Sequence, residues 1–463
     1  MERLTPLSAA FLQAEDEDPT TTMAIASAAV FAGPAPSQEE FVAHITGRLP
    51  LVPRFRQKVR TVPFDLGAPV WVDDPATDVD WHVRRTALPA PGGESELYRL
   101  VGRVMTARMD RTRPLWEYWV VEGLEGGRWA VLQKVHHCLV DGVSGTALYS
   151  VVFDTSPQTR PPVPDTWTPQ PAPSTLSLTA AAARDVALAP VALAREIGSL
   201  LGSPRTLARR AATTARGTLA LSTAALPVTP TSLRGRMGHQ RRYAATTLSL
   251  RDVITVKQAF GASVNDVALA AITGGFRDLL LARGEEPHRH AVRTLVPVSA
   301  RLPGEEAIPD NRVSLMLPYL PVDVADPVER LAEVGVRIDE AAAAHEPEAG
   351  VSLTSLAEHN VFLPVALGVR LAFHIPQRQL ATVTTNVPGP RQTVYALGRR
   401  CERIVPYVPI ADRVRIGVAV FSYLDQLSFG VTGDFDTVPD IDVFVGGIRG
   451  SLEQLLSAAD SGS

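Results

Sequence analysis

The chain has 463 residues, a hydrophobic fraction of 45% and a net charge of −4 from 45 basic and 49 acidic residues. This length predicts two or three domains, and the lack of a basic excess argues against a nucleic-acid-binding protein. The only cysteines, Cys138 and Cys401, exclude a disulfide framework and a CxxC zinc site.

The N-terminal residues lack the basic region and apolar core of a secretory signal, which favours a cytoplasmic protein. The apolar run Met23 to Ala32 has about half of the ~20 residues needed to cross a bilayer, so a buried strand is expected there. Any membrane contact is therefore expected to be peripheral.

The first zone, residues 1–155, mixes strand-like runs with turn signals. A helix is expected over Glu94 to Met109, a strand over Arg128 to Val135, and a second helix after Gly142. The second zone, residues 156–240, opens with a proline-rich extended segment. The Ala-, Leu- and Arg-rich stretch from about 176 to 225 predicts two helices broken near Ser203. They form either a helical crossover or a basic amphipathic surface for an anionic membrane.

The third zone, residues 241–463, alternates helices and strands, which predicts a second α/β domain joined to the first by the long crossover. A hairpin and a final helix end the zone. The expected helices are 250–260, 264–283, 325–344 and an apolar segment at 362–373; the expected strands are 292–297, 313–320, 414–423 and 426–434.

The segment HHCLVDG carries the most distinctive chemistry of the chain, with His136 and His137 at the end of a predicted strand. Adjacent strand residues point to opposite faces, which argues against both histidines binding one metal ion. His136 is either a hydrogen-bonded core residue or a support for its neighbour. Asp141 and Gly142 form a turn that can hold His137 in one direction, as a general base requires.

Other catalytic signatures are absent from the sequence: no GxSxG serine elbow, GxGxxG loop or P-loop occurs. The remaining chemistry is direct transfer, in which a hydroxyl deprotonated by His137 attacks an activated acyl group without a covalent enzyme intermediate. The residues alone therefore predict acyl transfer.

The segment HHCLVDG resembles the HHxxxDG motif of the acyltransferase superfamily that includes chloramphenicol acetyltransferase, carnitine acyltransferases and peptide-synthetase condensation domains. Further segments, in the same order over nearly the whole chain, resemble bacterial wax ester synthase/diacylglycerol acyltransferases. These segments are LTPLSAAFLQAED, RPLWE, SVNDVALAAITGGFR, PVSAR, DNRVSLMLPYLPVD and TNVPGP. One stretch departs from the pattern: LRGRMGHQRRY keeps an RR pair but has Arg234 and Arg236 where the family more usually has asparagine and proline.

The resemblance implies two chloramphenicol-acetyltransferase-like domains, 1–155 and 241–463, with an active-site tunnel between them. It implies His137 as the general base, supported by His136, with Asp141 pairing with an arginine for which Arg301 is the candidate. The ND motif implies a role in activity for Asn265 rather than for Asp266. Gly142 is a further candidate for substrate binding. The TNVPGP segment is either a simple turn or the source of two hydrogen-bond donors to the oxyanion, Thr385 and Asn386.

The function implied is transfer of a long acyl group from acyl-CoA, as co-substrate, to diacylglycerol or a fatty alcohol, with no metal and no other cofactor. A second reading is a related enzyme that takes its acyl group from a carrier-protein thioester in complex-lipid or secondary-metabolite synthesis. A third is a non-catalytic protein that coats a membrane or lipid droplet. The intact HHxxxDG motif argues against the third.

Overall fold

The computed structural model of the protein describes residues 2–63, 66–140, 145–185, 187–188, 231–299, 313–343 and 379–461. Some predictions from the sequence fall outside these ranges. They concern Asp141, Gly142, Arg301, the apolar segment 362–373 and most of the 176–225 stretch. Within that stretch the described part is helical at 175–185.

The described strands number fifteen and form three sheets. They are β1 (Glu2–Arg3), β2 (Ala24–Phe31), β3 (Gln57–Arg60), β4 (Val70–Asp73), β5 (Val83–Ala87), β6 (Trp116–Leu124), β7 (Arg128–His136), β8 (Arg241–Ser249), β9 (Arg293–Ser299), β10 (Val313–Met316), β11 (Leu380–Val387), β12 (Tyr395–Ala396), β13 (Arg399–Tyr407), β14 (Ile416–Tyr423) and β15 (Gln426–Asp434).

Ten α-helices accompany these strands in the described ranges, besides the helix at 175–185. They are α1 (Pro6–Glu17), α2 (Gln38–Thr46), α3 (Val79–His82), α4 (Glu94–Thr106), α5 (His137–Val140), α6 (Gly145–Val152), α7 (Leu250–Phe260), α8 (Val264–Ala282), α9 (Pro327–Ala343) and α10 (Ile441–Ser461). No single described helix is long and apolar enough to cross a membrane; α7 and α8 together reach that length but meet at 103°.

Two six-stranded sheets form the centre of the molecule. The first has the strand order β12-β13-β2-β7-β6-β5, and the second has the order β10-β9-β11-β14-β15-β8. The core strands β2 and β7 are buried almost throughout, as expected for strands covered on both faces. The predicted strands at 23–32 and 128–135 and the hairpin of β14 and β15 are confirmed.

Local signals determine where most helices begin and end. The helix α8 begins with a capping box, in which Ser263 and Asp266 satisfy each other's backbone N–H groups. The helix α7 ends at Gly261, which adopts the left-handed conformation with φ of 67°. The helices predicted at 250–260, 264–283 and 325–344 are confirmed. The strand predicted at 313–320 is shorter, because it ends at Met316 before Pro318 and Pro321.

One part of the topology crosses the domain limit predicted at residue 240. Strands β12 and β13 come from the second half of the chain, but they belong to the first sheet, in which β13 pairs with β2 and β12 pairs with β13. The backbones of the two six-stranded sheets also meet, since a Cβ at Gly430 on β15 would lie 1.8 Å from the Pro406 carbonyl oxygen on β13. The second half thus completes the first sheet, and its strands cannot be assigned to a domain by sequence position alone.

Candidate active site

The paired histidines lie where β7 ends and the short helix α5 begins. Lys134 and His136 are two residues apart on β7 and therefore point to the same face of the first sheet. Lys134 is buried there and donates from Nζ to the carbonyl oxygens of Val104 (3.0 Å) and Ala107 (2.6 Å) at the end of α4. Burial lowers the pKa of Lys134. The lysine therefore holds α4 over the face that also carries His136.

His136 is 1% exposed, and both of its ring nitrogens face protein groups. Nδ1 accepts the backbone N–H of Cys138 at 3.1 Å, so the ring proton is on Nε2. Nε2 lies 3.3 Å from Oε1 of Glu15, a close electrostatic contact that is not aligned as a hydrogen bond. His136 is therefore a buried residue held at both ends of its ring, and its support of His137 stays a prediction.

Glu15 is the carboxylate behind His136, and its side chain is 2% exposed. Oε1 accepts the N–H of Met23 at 2.7 Å, and Oε2 pairs with Nη2 of Arg111 at 2.9 Å. Burial alone would raise the pKa of Glu15, but the contacts with His136, Met23 and Arg111 outweigh burial and lower the pKa to about 2. Glu15 is therefore ionised at neutral pH.

His137 occupies a different environment, since it is only partly buried. Its ring stacks on the ring of Phe11, with centroids 4.0 Å apart and planes inclined by 29°. Its backbone N–H donates to the carbonyl oxygen of Met23 at 2.9 Å. Of the two adjacent histidines, His137 is therefore the one that a substrate can approach.

A second group of predicted residues meets beside the second sheet. Asn386, near the end of β11, donates from Nδ2 to Oδ1 of Asn265 at 3.3 Å. Asn265 is in the first turn of α8, so this contact joins the ND and TNVPGP segments. The side chain of its neighbour Asp266 instead accepts the backbone N–H of Ser263 in the capping box of α8 and takes no part in the Asn265–Asn386 contact. The two residues of the ND motif thus have different surroundings.

Thr385 and Asn386 are consecutive strand residues and point to opposite faces of the second sheet. Asn386 is opposite Val420, which belongs to the core between this sheet and its helices. Thr385 shares its face with Phe421, which packs in the core of the first half. The ring of Phe421 lies 5.7 Å from that of Tyr149 on α6, the helix that follows the HHxxxDG motif. Thr385 therefore faces the half of the molecule that carries His137, and Asn386 does not.

Other residues that the sequence analysis noted are packed in the protein core. Leu115 and Trp116 of RPLWE are fully buried, and Trp116 stacks on Phe55 at 4.8 Å, as packing residues do. Cys138 is a buried residue, as expected, and burial raises the pKa of Cys401 to about 12. Within the described ranges, no group of three His, Cys, Asp or Glu residues is arranged to hold a metal ion.

The sequence did not predict the role of α1. Ser8 donates from Oγ to the Cys138 carbonyl oxygen at 3.2 Å, Phe11 stacks on His137, and Glu15 contacts His136. These three side chains are spaced i, i+3 and i+7 and so lie on one face of the helix. The available signal in the sequence was a serine, an aromatic residue and a glutamate at helical spacing.

Comparison with known proteins identifies the relatives of this chain. Residues 4–268 match the model of the wax ester synthase/diacylglycerol acyltransferase catalytic domain, and residues 310–456 match that of the WS/DGAT C-terminal domain. The chain is 41% identical over 459 residues to a Mycobacterium tuberculosis protein named "Probable diacyglycerol O-acyltransferase tgs1", covering 99% of this chain and 96% of that protein.

Solved structures show the same architecture. A wax ester synthase/diacylglycerol acyltransferase from Marinobacter aquaeolei superimposes with a TM-score of 0.68 at 25% identity, covering 99% of this chain and all of that chain. The first condensation domain of the calcium-dependent antibiotic synthetase gives 0.59 at 17% identity, covering 98% and 96% of the two chains, which is a likeness of fold alone. The predicted chloramphenicol-acetyltransferase-like fold is thus confirmed.

Proposed function

The chain belongs to the wax ester synthase/diacylglycerol acyltransferase family and is an acyltransferase, and from this premise we propose that it moves a long acyl group from acyl-CoA to the hydroxyl of diacylglycerol. Long-chain alcohols are the second acceptor class that the family description supports. The assignment of the general base to His137 rests on the contrast between the two adjacent histidines. His136 is buried and engaged at both ring nitrogens, whereas His137 is accessible.

The reaction proceeds by direct attack. His137 takes the proton of the acceptor hydroxyl while the oxygen attacks the thioester carbonyl carbon, which gives a tetrahedral oxyanion. Collapse of the oxyanion forms the ester bond and breaks the carbon–sulfur bond, and His137 returns the proton to the leaving CoA thiolate. A general base of this kind contributes on the order of 10²–10⁴ in rate.

The oxyanion requires hydrogen-bond donors. Thr385 is the candidate whose side chain shares a face with Phe421 and hence with the first half of the molecule. Asn386 has two N–H donors, of which one is given to Asn265. We assign Thr385 to the oxyanion and the Asn265–Asn386 pair to holding the end of β11. Asp141, paired with Arg301, and Gly142 complete the site as the resemblance implies.

The lipid acceptor suggests where the protein works. Diacylglycerol resides in membranes and lipid droplets, so the enzyme is proposed to act peripherally at such a surface from the cytoplasmic side. The start of the Ala-, Leu- and Arg-rich stretch supports this proposal, because Leu176 is 79% exposed and Leu188 is 53% exposed. Arg184 follows Leu176 on the helix at 175–185, and its side chain is 76% exposed, so it can face anionic headgroups.

The donor and the acceptor are tested in one assay. Purified protein is given palmitoyl-CoA or palmitoyl-acyl carrier protein, each with diacylglycerol, with hexadecanol or with no alcohol, and ester and released thiol are measured. We expect ester from palmitoyl-CoA with diacylglycerol as the better acceptor, and no thiol release without an alcohol. Turnover with the carrier-protein thioester alone would overturn the proposal and favour complex-lipid or secondary-metabolite synthesis.

A further inference from the structure

The carboxylate of Glu15 has no part in the reaction as described, yet it lies directly behind the catalytic dipeptide. We propose that Glu15 is a positioning residue, which sets the direction of His137 by anchoring His136 and the backbone of Met23. The inference rests on the proposed role of His137 as general base. Nothing in the sequence motif itself points to it, since 121 positions separate Glu15 from His136.

One oxygen of Glu15 makes both of the contacts on which this role depends. Oε1 accepts the Met23 N–H at 2.7 Å and lies 3.3 Å from Nε2 of His136. The carbonyl oxygen of the same Met23 accepts the backbone N–H of His137 at 2.9 Å. Glu15 therefore connects the ring of one histidine with the backbone that holds the other.

The His136 ring depends on this carboxylate for its orientation. Because Nδ1 accepts the Cys138 N–H, the ring proton is on Nε2, which lies 3.3 Å from the ionised carboxylate of Glu15 in an electrostatic contact that is not aligned as a hydrogen bond. Without the carboxylate, this buried N–H would lose the negative charge that attracts it, which favours reorientation of the ring. Reorientation would release the Cys138 N–H, and this amide lies in the first turn of α5, directly after His137. The imidazole of His137 would then lose its fixed direction.

The charges around Glu15 provide a matched control. The charged groups around this buried carboxylate include Arg111, which pairs with Oε2 at 2.9 Å, Lys134, which acts on it through space, and Arg108, which donates to the Glu15 backbone carbonyl oxygen. Arg111 also pairs with Asp16 at 2.7 Å, and the Asp16 side chain is 59% exposed and is not a contact of His136. Asp16 is thus on the same helix and pairs with the same arginine, but it lacks the contact under test.

The test compares Glu15→Met, Glu15→Gln and Asp16→Asn with wild type. Methionine fills the space without an acceptor, and we expect kcat to fall on the order of 10–100-fold with KM for palmitoyl-CoA unchanged. Glutamine keeps one carbonyl oxygen for His136 and should restore most of kcat. Asp16→Asn should stay within about twofold of wild type. Equal kcat for Glu15→Met and wild type would overturn the proposal.

Two readouts separate positioning from a general loss of structure. In a His136→Ala background, Glu15→Met should cost little further activity, because both changes break the same connection. Additive losses would show that Glu15 acts elsewhere. In protein with ¹⁵N-labelled histidine, His136 should show an Nε2–H tautomer in wild type and Asp16→Asn, and should lose it in Glu15→Met.

The NMR readout also separates this proposal from the proposed function. If wild type released no CoA with any alcohol, the acyl-transfer proposal would fail, while the His136 signals would still report on Glu15. A tautomer unchanged in Glu15→Met would reject the anchoring role even in a fully active enzyme.

Discussion

At the scale of single residues, the neighbouring His136 and His137 have different surroundings and different proposed roles. His136 is buried and anchored while His137 is accessible, because β7 ends between them and α5 begins. The sequence predicted side chains that point in different directions because it placed both histidines on the strand, whereas only His136 lies on β7. It did not predict Glu15, because helical spacing shows which residues share a face but not what that face contacts. Asp141 and Arg301 remain predictions.

The ND motif offers the same kind of division and a direct test. Asp266 caps α8, so Asp266→Ala should lower the free energy of unfolding by about 1 kcal/mol and leave kcat per folded molecule unchanged. Asn265→Ala removes the contact with Asn386, so kcat should fall on the order of tenfold while the melting temperature remains that of wild type. Thermal unfolding and CoA release are measured on both variants. A loss of kcat in Asp266→Ala, together with unchanged kcat and lower stability in Asn265→Ala, would contradict the assignment.

At the scale of elements, the sequence predicted helices and strands where hydrophobic periodicity was clear. The helices α7, α8 and α10 and the hairpin of β14 and β15 follow from local pattern and caps. The strand β10 ends earlier than predicted because prolines follow it. The contact between α2 and α6 could not be predicted from local sequence, because it joins His44 to the carbonyl oxygen of Val152, which is 108 residues away.

That contact predicts a pH dependence of stability. His44 on α2 contacts the Val152 carbonyl oxygen at the end of α6 through Nε2 at 2.9 Å, which requires the ring proton on Nε2. Burial, helped by the nearby charge of Arg48, lowers the pKa of His44 from 6.5 to about 4. Between these two values the unfolded chain binds a proton that the folded protein does not, so stability falls as pH falls. The loss amounts to about 3 kcal/mol.

Denaturant unfolding at pH 7 and pH 4 tests this prediction. His44→Gln retains a donor for Val152 and cannot titrate, so it should lose about 3 kcal/mol less than wild type over the interval. His239→Gln, at an exposed position, serves as the control and should follow wild type. The same pH dependence in wild type and His44→Gln would show that His44 is not the group responsible.

At the scale of the whole molecule, the two halves of the chain share a sheet. Strand β13 completes the first sheet, and the Tyr149–Phe421 contact brings the helix after the motif against the second sheet. The family resemblance predicted two similar domains, but no feature of the sequence indicated this exchange. Strand pairing depends on contacts between residues distant in sequence, and hydrophobic alternation reports only whether a strand is buried, not which strand lies beside it.

Gly430 tests the close packing of the two six-stranded sheets. A Cβ at this position would lie 1.8 Å from the Pro406 carbonyl oxygen, so Gly430→Ala must separate β15 from β13. We expect a loss of about 3 kcal/mol in unfolding free energy. A Cβ added at Gly446 on α10 would meet no described atom within 4 Å, so Gly446→Ala should gain about 0.5–1 kcal/mol. Equal stability of the two variants would contradict the close approach.

The most direct measurement of the central claim is CoA release by wild type and His137→Ala with palmitoyl-CoA and diacylglycerol. Far-UV circular dichroism and the melting temperature establish that the variant is folded. Release by wild type should require the alcohol, and the variant should lose on the order of a hundredfold or more in kcat. A folded His137→Ala protein that retained above a tenth of wild-type activity would show that His137 is not the general base.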